Sequence, residues 1–387
     1  MKGWTETTLG KVADIIPGYA FKGIDFGKYG VPVIKIKNIC PPKIDFGNIE
    51  YVDIKKYKPK HIEKVRIFKN DFVVAMTGAT IGKIGKMYSS EEAYINQRVA
   101  KICPKNFVDW NYIYYNINSS EFYQHIQNNI DSHSAQENIS TTSIGRYSLQ
   151  LPSLDEQRAI AAVLSSLDDK IDLLHRQNAT LEAMAEALFR QWFVVEAKEE
   201  WEHGFLPDEF EFVMGQSPNG HSFNEIGMGT PMFQGNADFG FRFPSARIYT
   251  TEPTRFAQKF DTLISVRAPV GAQNMAQDRC CIGRGLAAFR YKNNSSFYSY
   301  AYFKLRYLLK EILVYNDEGT VFGSISKNDF NNIEIIIPDY NSVSEFETMI
   351  LSINNKVISN CQQINTLEKL RDTLLPKLMS GEVRVDF

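Results

Sequence analysis

No stretch of this 387-residue chain is long and apolar enough to span a bilayer; its apolar runs, such as 263–266 and 335–337, are strand-sized or little longer. The opening MKGWTETTLG has no apolar run behind its charge, so no secretory leader is expected and the chain reads as cytoplasmic. Cysteine is scarce. Cys40, Cys103, Cys280, Cys281 and Cys361 contain no CxxC pair, and their odd number and spacing argue against a disulfide framework or a zinc site. The six histidines form no HxxxH pair and have no cysteine at metal spacing. GATIGKI at 78–84 is one residue short of a phosphate-binding loop and ends in Ile rather than Ser or Thr, which reads as a glycine turn between strands. Gly283 and Gly285 form a lone GxG, and Asp45, Asp53 and Lys55 only loosely resemble a nuclease set. His133 sits in a Ser-rich stretch that reads as a polar turn, because its counterpart GTVFGSIS at 319–326 has no histidine. No metal, no catalytic residue and no cofactor is expected in this chain.

What remains is a composition of ordinary globular type, 44% hydrophobic and 23% charged, and a long internal repeat. The sequence from Pro152 is written again from Pro338 at a constant offset of 186 residues: Asp168-Asp169-Lys170-Ile171 over Asn354-Asn355-Lys356-Val357, Thr180-Leu181-Glu182 over Thr366-Leu367-Glu368. A period this long excludes a solenoid and points to two similar halves, each a body followed by a helix. The expected division is a first body at 1–150, a helical segment at 151–200, a second body at 201–337 and a second helical segment at 338–387. Charge is uneven across it. Residues 1–150 hold 20 Lys and Arg against 14 Asp and Glu, whereas 151–200 hold 5 against 10. That suits bodies that meet a polyanion while the helices face elsewhere, although scatter of this size is also ordinary.

In the helical segments the apolar positions alternate four and three apart, the seam of a coiled coil. The first seam runs through Leu164, Leu167, Ile171, Leu174, Leu181 and Leu188. The second runs through Ile350, Ile353, Val357, Ile364, Leu367 and Leu374. No Pro or Gly interrupts 155–195, which allows a helix of roughly 60 Å; Pro376 is expected to kink or end the second helix early. Two such helices pair antiparallel if the halves are related by a two-fold axis. Asn178 and Asn360 fall on the seams, either as register devices or as points where the seam loosens toward solvent.

Each body mixes β-type runs with turns and helical stretches, giving an α+β fold. Strands are predicted at 31–36, 71–76 and 98–102, and at 262–267, 285–290 and 333–337. The copies align within the bodies too, with Asp71 over Asp261, Gly82 over Gly271 and INQRVAKI (95–102) over IGRGLAAF (282–289). Between these fixed points the loops differ and carry side chains suited to base edges, since Arg pairs with guanine and Asn or Gln with adenine. The candidates are Lys35, Lys37, Asn38, Lys83, Lys86, Gln97 and Arg98 in the first body. In the second they are Gln234, Asn236, Arg242, Arg267, Gln273, Asn274 and Arg284.

The stretch LPSLDEQRAIAAVLSSLDDKIDLL (151–174) resembles the central region of the specificity subunits of type I restriction-modification systems, and NTLEKLRDTLLPKLMSGEV (365–383) their distal region. Trp4 and Leu9-Gly10 followed by ADIIPGYAF resemble the start of a target recognition domain; FQGNADFGFRFP, VRAPVGAQN and CCIGRGLAAF resemble a second one. The second half departs by lacking the Leu-Gly step after Trp201. The resemblance implies two α/β recognition domains, each reading one part of a split double-stranded DNA target. The two helices would set the spacer and dock two modification (methyltransferase) subunits, joined by ATP-driven restriction subunits. S-adenosylmethionine, ATP and Mg would belong to those partners. An amino-methyltransferase in its own right would need an Asn/Asp-Pro-Pro-aromatic tetrapeptide, and the only Pro-Pro, Pro41-Pro42, lies between Cys40 and Lys43. Two alternatives stand beside this reading: the specificity-type subunit of a type II enzyme, and a coiled-coil scaffold that binds only proteins.

Overall fold

The structure, a computed structural model, describes residues 3–130, 137–317 and 324–385; His133 lies outside the described residues. The chain forms two compact units, Met1–Lys170 with Leu367–Phe387, and Ile171–Thr366. This differs from the four consecutive segments expected from the sequence, because each long helix divides its packing between both units.

In the first unit a six-stranded sheet has the order Ala13–Pro17, Val99–Pro104, Phe72–Ala75, Ile84–Lys86, Lys43–Ile44, Ile39–Cys40. A five-stranded sheet has the order Phe26–Gly27, Glu50–Val52, Val31–Ile34, Ala93–Ile95, Arg66–Ile67. The second unit repeats this plan with Phe210–Met214, Leu286–Tyr291, Thr262–Ser265 and Gln273–Met275 in one sheet. Its other sheet runs Phe223–Asn224, Ile248–Thr250, Thr230–Phe233, Cys280–Ile282, Phe256–Ala257. The six predicted strands all fall on observed ones, including Glu334–Ile337; the two-residue strands have too little pattern to be read.

The repeat extends to individual backbone devices. Asp71 Oδ2 accepts from Phe68 N at 2.9 Å and pairs with Lys101 at 2.6 Å; Asp261 Oδ2 accepts from Gln258 N at 2.7 Å and pairs with Arg290 at 2.7 Å. Gly82 and Gly271 both take the left-handed region that glycine favours, φ 82° and 85°. Trp4 Nε1 donates to Glu156 at 3.0 Å, and Trp201 Nε1 donates to Asp339 at 3.0 Å. The missing Leu-Gly step is answered here: the short helix Leu9–Val12 has its equivalent in Leu206–Glu209, with Pro207 at the first turn where Pro is tolerated.

Gly18 and Gly215 follow the strands Ala13–Pro17 and Phe210–Met214 and lie tight against another loop. A Cβ on Gly18 would collide with the backbone of Asn96 and Ile95, and one on Gly215 with that of Gly283 and Ile282. Gly18→Ala and Gly215→Ala are each expected to lower stability by about 3 kcal/mol, since backbone cannot step aside as a side chain can. Chemical denaturation checks this; a loss below about 1 kcal/mol would show that the loops part freely.

The first long helix spans Leu154–Arg190, and the second Tyr340–Ser380. Ser153 Oγ accepts from Glu156 N and Asp339 Oδ1 accepts from Ser342 N, so both start on a side-chain cap. Two expectations on their ends are corrected. The first helix leaves α geometry at Gln191–Val195, where Glu196 N reaches back to Gln191 O in a π turn. Pro376 lies inside the second helix without ending it. Its ring removes a backbone bond, but Leu374, Leu375, Leu378 and Met379 hold the last turns in the core of the first unit.

Within each unit the helices run antiparallel. In the first, Asp168 meets Arg371 at 3.0 Å, and Glu156 meets Arg384, four residues past the end of the second helix, at 3.5 Å. In the second, Asn178 meets Asn360, while Phe189 meets Phe346. The seam leucines and isoleucines are buried or half-buried, with Leu164, Ile350 and Val357 fully covered. Asn178 and Asn360 are both fully buried, and Asn360 Nδ2 donates to Asn178 Oδ1 at 2.9 Å. They do not reach solvent; a bonded amide pair in an apolar seam tolerates only a matched alignment.

Candidate nucleic-acid interface

In the first unit Val31–Ile34 and Ala93–Ile95 pair in parallel, with Ile95 opposite Ile34, so both strands end on the same rim. Asn96 N donates to Ile34 O at 2.9 Å and Val99 N to Asn96 O at 2.8 Å, a tight turn that leaves Gln97 and Arg98 exposed. Gln97 N is held by Tyr19 O at 3.0 Å, and Met76 N by Arg98 O at 2.9 Å, which brings Thr77 to the same edge. The second unit builds this rim with matching bonds, except that Arg284 N donates to Ser217 Oγ at 3.3 Å where Gln97 N meets a carbonyl. Phe233 lies opposite Ile282 in a parallel pair, Gly283 N donates to Phe233 O at 2.8 Å, and Val266 N to Gly285 O at 2.9 Å. Position by position, Lys35 corresponds to Gln234, Thr77 to Arg267, and Gln97 to Arg284. One backbone frame therefore presents two different sets of side chains.

The candidates divide between this rim and the interior. Gln97, Arg98 and Lys83 in the first unit, and Gln234, Arg267 and Arg284 in the second, are exposed on rim loops. Lys35 and Lys37 stand there too but share Glu50, at 2.5 and 2.6 Å, and hold its carboxyl below the usual range. Asn236 is half-buried at the first residue of the turn Asn236–Asp238.

Five candidates are corrected. Asn38 is buried, taking Lys35 N at 3.0 Å and giving to Asp45 O at 3.3 Å, so it holds its turn together. Lys86 is half-buried, donates to Asn111 Oδ1 at 3.1 Å and lies 5.0 Å from the Tyr114 ring centre. Burial lowers its pKa, opposed by Asp168 and Asp169. Gln273 gives its amide to Tyr302 O at 2.6 Å, and Asn274, fully buried, gives its own to Gly240 O at 2.8 Å. Arg242 is 1% exposed, paired with Glu182, bonded to Asn354 at 3.2 Å and stacked 4.2 Å over Tyr302. Apart from Asn38, whose partners are local, their partners lie 25 or more residues off in sequence, so the sequence around them gave no sign that these side chains turn inward. The exposed lysines at 55–64 lie outside the candidate set.

Among the described residues no cluster of three or more His, Cys, Asp or Glu is placed to hold a metal ion, and no helix is long and apolar enough to cross a membrane. The family model for the type I restriction modification DNA specificity domain matches residues 1–183 and again 198–369. The chain is 28% identical over 408 residues to the putative type I restriction enzyme MjaX specificity subunit of Methanocaldococcus jannaschii, covering 99% of this chain and 94% of that one. It is 26% identical over 426 residues to the MjaIX specificity subunit of the same organism, covering 98% and 96%. Among solved structures it is similar to the type I restriction-modification system S subunit from M. genitalium, with a TM-score of 0.60, 18% identity and coverage of 99% and 96%. At that identity the likeness speaks for the fold.

Proposed function

The chain belongs to the family of the type I restriction modification DNA specificity domain, of which it carries two copies, and from that premise we propose that it is the subunit that chooses the DNA sequence for a restriction-modification complex. Each body reads one half of a split duplex target through the major groove, and the helix pair sets the gap and docks two modification subunits. Catalysis belongs to those subunits and to the restriction subunits, together with S-adenosylmethionine, ATP and Mg. The observation that carries this reading is the repeated rim: matching backbone bonds with Lys35, Thr77 and Gln97 in one copy and Gln234, Arg267 and Arg284 in the other. A catalytic dimer of like sites would repeat its chemistry, whereas two readers of different half-sites repeat only their frame.

The test is to co-express the chain with its modification subunits and map methylated bases on the host genome. A motif of two short defined parts around a fixed gap is expected. A soluble complex that methylates nothing, or a continuous motif, would overturn the reading. Within that assay, Arg284→Ala is expected to relax one base of one half-site, weakening discrimination there by about 1–3 kcal/mol and leaving the other half-site intact. Relaxation of both halves would argue against separate readers.

A further inference from the structure

The first body carries a segment that the second lacks. Between the strands Glu50–Val52 and Arg66–Ile67 the chain passes through residues 53–65; between the equivalent strands Ile248–Thr250 and Phe256–Ala257 it passes through 251–255 only. The longer segment is anchored to the rim. The Tyr57 ring lies 5.6 Å from that of Tyr19 and 5.1 Å from that of Phe21. Its hydroxyl donates to Asp25 at 2.6 Å and accepts from Lys22 N at 3.1 Å, while Lys56 pairs with Asp25 at 3.2 Å. Tyr19 is the residue whose carbonyl holds Gln97 N.

Strand direction places the segment's end beside the reading loop. Arg66–Ile67 pairs antiparallel with Ala93–Ile95, with Arg66 opposite Tyr94, so Lys64 lies at the end of the sheet where Asn96–Arg98 emerges. Neighbouring strands are about 4.8 Å apart, which leaves Lys64 one strand over from Gln97.

Lys55, Lys58, Lys60 and Lys64 are all exposed, and among the described residues none has a carboxylate within ion-pair distance. The two acids of the segment are engaged otherwise: Asp53 accepts from Lys55 N at 3.1 Å, and Glu63 pairs with Arg66 at 3.2 Å. Like charges held on an anchored segment repel one another and contribute nothing to the fold, but a row of phosphates would complement them. In the second body the short connection carries one acid and one base, Glu252 and Arg255.

We propose that residues 53–65 form a sequence-independent DNA contact in which Lys58, Lys60 and Lys64 bind backbone phosphates of the duplex just outside the first half-site. This rests on the rim being the base-reading edge. It makes the two bodies unequal: the first adds a backbone hold to its base contacts, and the second depends more on its bases.

The test uses the complex with modification subunits, comparing wild type with a Lys58→Gln, Lys60→Gln, Lys64→Gln variant. The methylated motif is expected to stay the same. The slope of log affinity against log salt should become shallower by about 2–3, with binding roughly tenfold or more weaker at physiological salt. Nuclease protection should shrink beside the first half-site alone. Wild-type salt slope and footprint in the variant would overturn the proposal, as would an altered motif, which would make these lysines base readers. A wild-type complex that yields no split motif is a separate failure, that of the recognition reading itself.

Discussion

Arg242→Ala is expected to lower the stability of the second unit by about 3–5 kcal/mol, measured by thermal or chemical unfolding. The guanidinium is almost fully enclosed, and three groups depend on it: the Glu182 carboxylate, the Asn354 amide and the face of Tyr302. Glu182 would keep Arg306 at 2.7 Å but lose its inner partner, leaving carboxylate charge and an amide facing a void. Arg242→Lys is not expected to rescue it, because an ammonium cannot stack flat on the ring while reaching both acceptors. Arg242→Met with Glu182→Gln should recover part of the loss by removing the enclosed ion pair and keeping volume, with Arg306 left to Glu186 at 3.7 Å. A single alanine variant that unfolds within about 1 kcal/mol of wild type would defeat the buried-network account and return Arg242 to the pool of base contacts.

Inserting seven residues into each long helix beside Asn178 and Asn360, with the seam pattern kept, is expected to change the gap of the methylated motif and nothing else. Seven helical residues add about 10 Å, or about three base pairs at 3.4 Å each. Both half-sites should stay the same, because the rim residues are untouched. Insertion in one helix alone should instead separate the Asn178–Asn360 pair and place seam leucines against polar faces, a loss visible as reduced stability and methylation. An unchanged gap after the paired insertion would refute the helices as the ruler.

Much of this molecule is legible in one dimension. Leu164, Ile171 and Leu174 repeat at coiled-coil spacing because a helix that buries one face must place apolar residues there. The offset of 186 residues identifies two halves, and in the structure it carries Ser153 onto Asp339 as caps of the two long helices. The alignment of INQRVAKI with IGRGLAAF matches the observed turns at Asn96 and Gly283 residue for residue. Such features are local or periodic, and their physical cause lies within a few residues of the pattern.

Arg242 and Arg284 mark the limit. Both are arginines in loops of the second body, Arg242 between Phe241 and Phe243 and Arg284 between Gly283 and Gly285, and neither setting names the partners that a buried guanidinium would need. One turns inward onto Glu182 and Asn354, while the other stands on an exposed turn held by Phe233 and Ser217. Likewise Lys86 meets Asn111 and Tyr114, and Asn274 meets Gly240. The same limit decided Pro376, whose helix continues because the turns around it are packed in the core of the first unit. By itself the sequence determined the two halves, the paired helices and the framework strands, since periodic burial is written into side-chain order. Only the tertiary structure decided which polar side chains face outward, because a buried polar group is stabilised by partners that the fold, not the neighbouring sequence, brings to it.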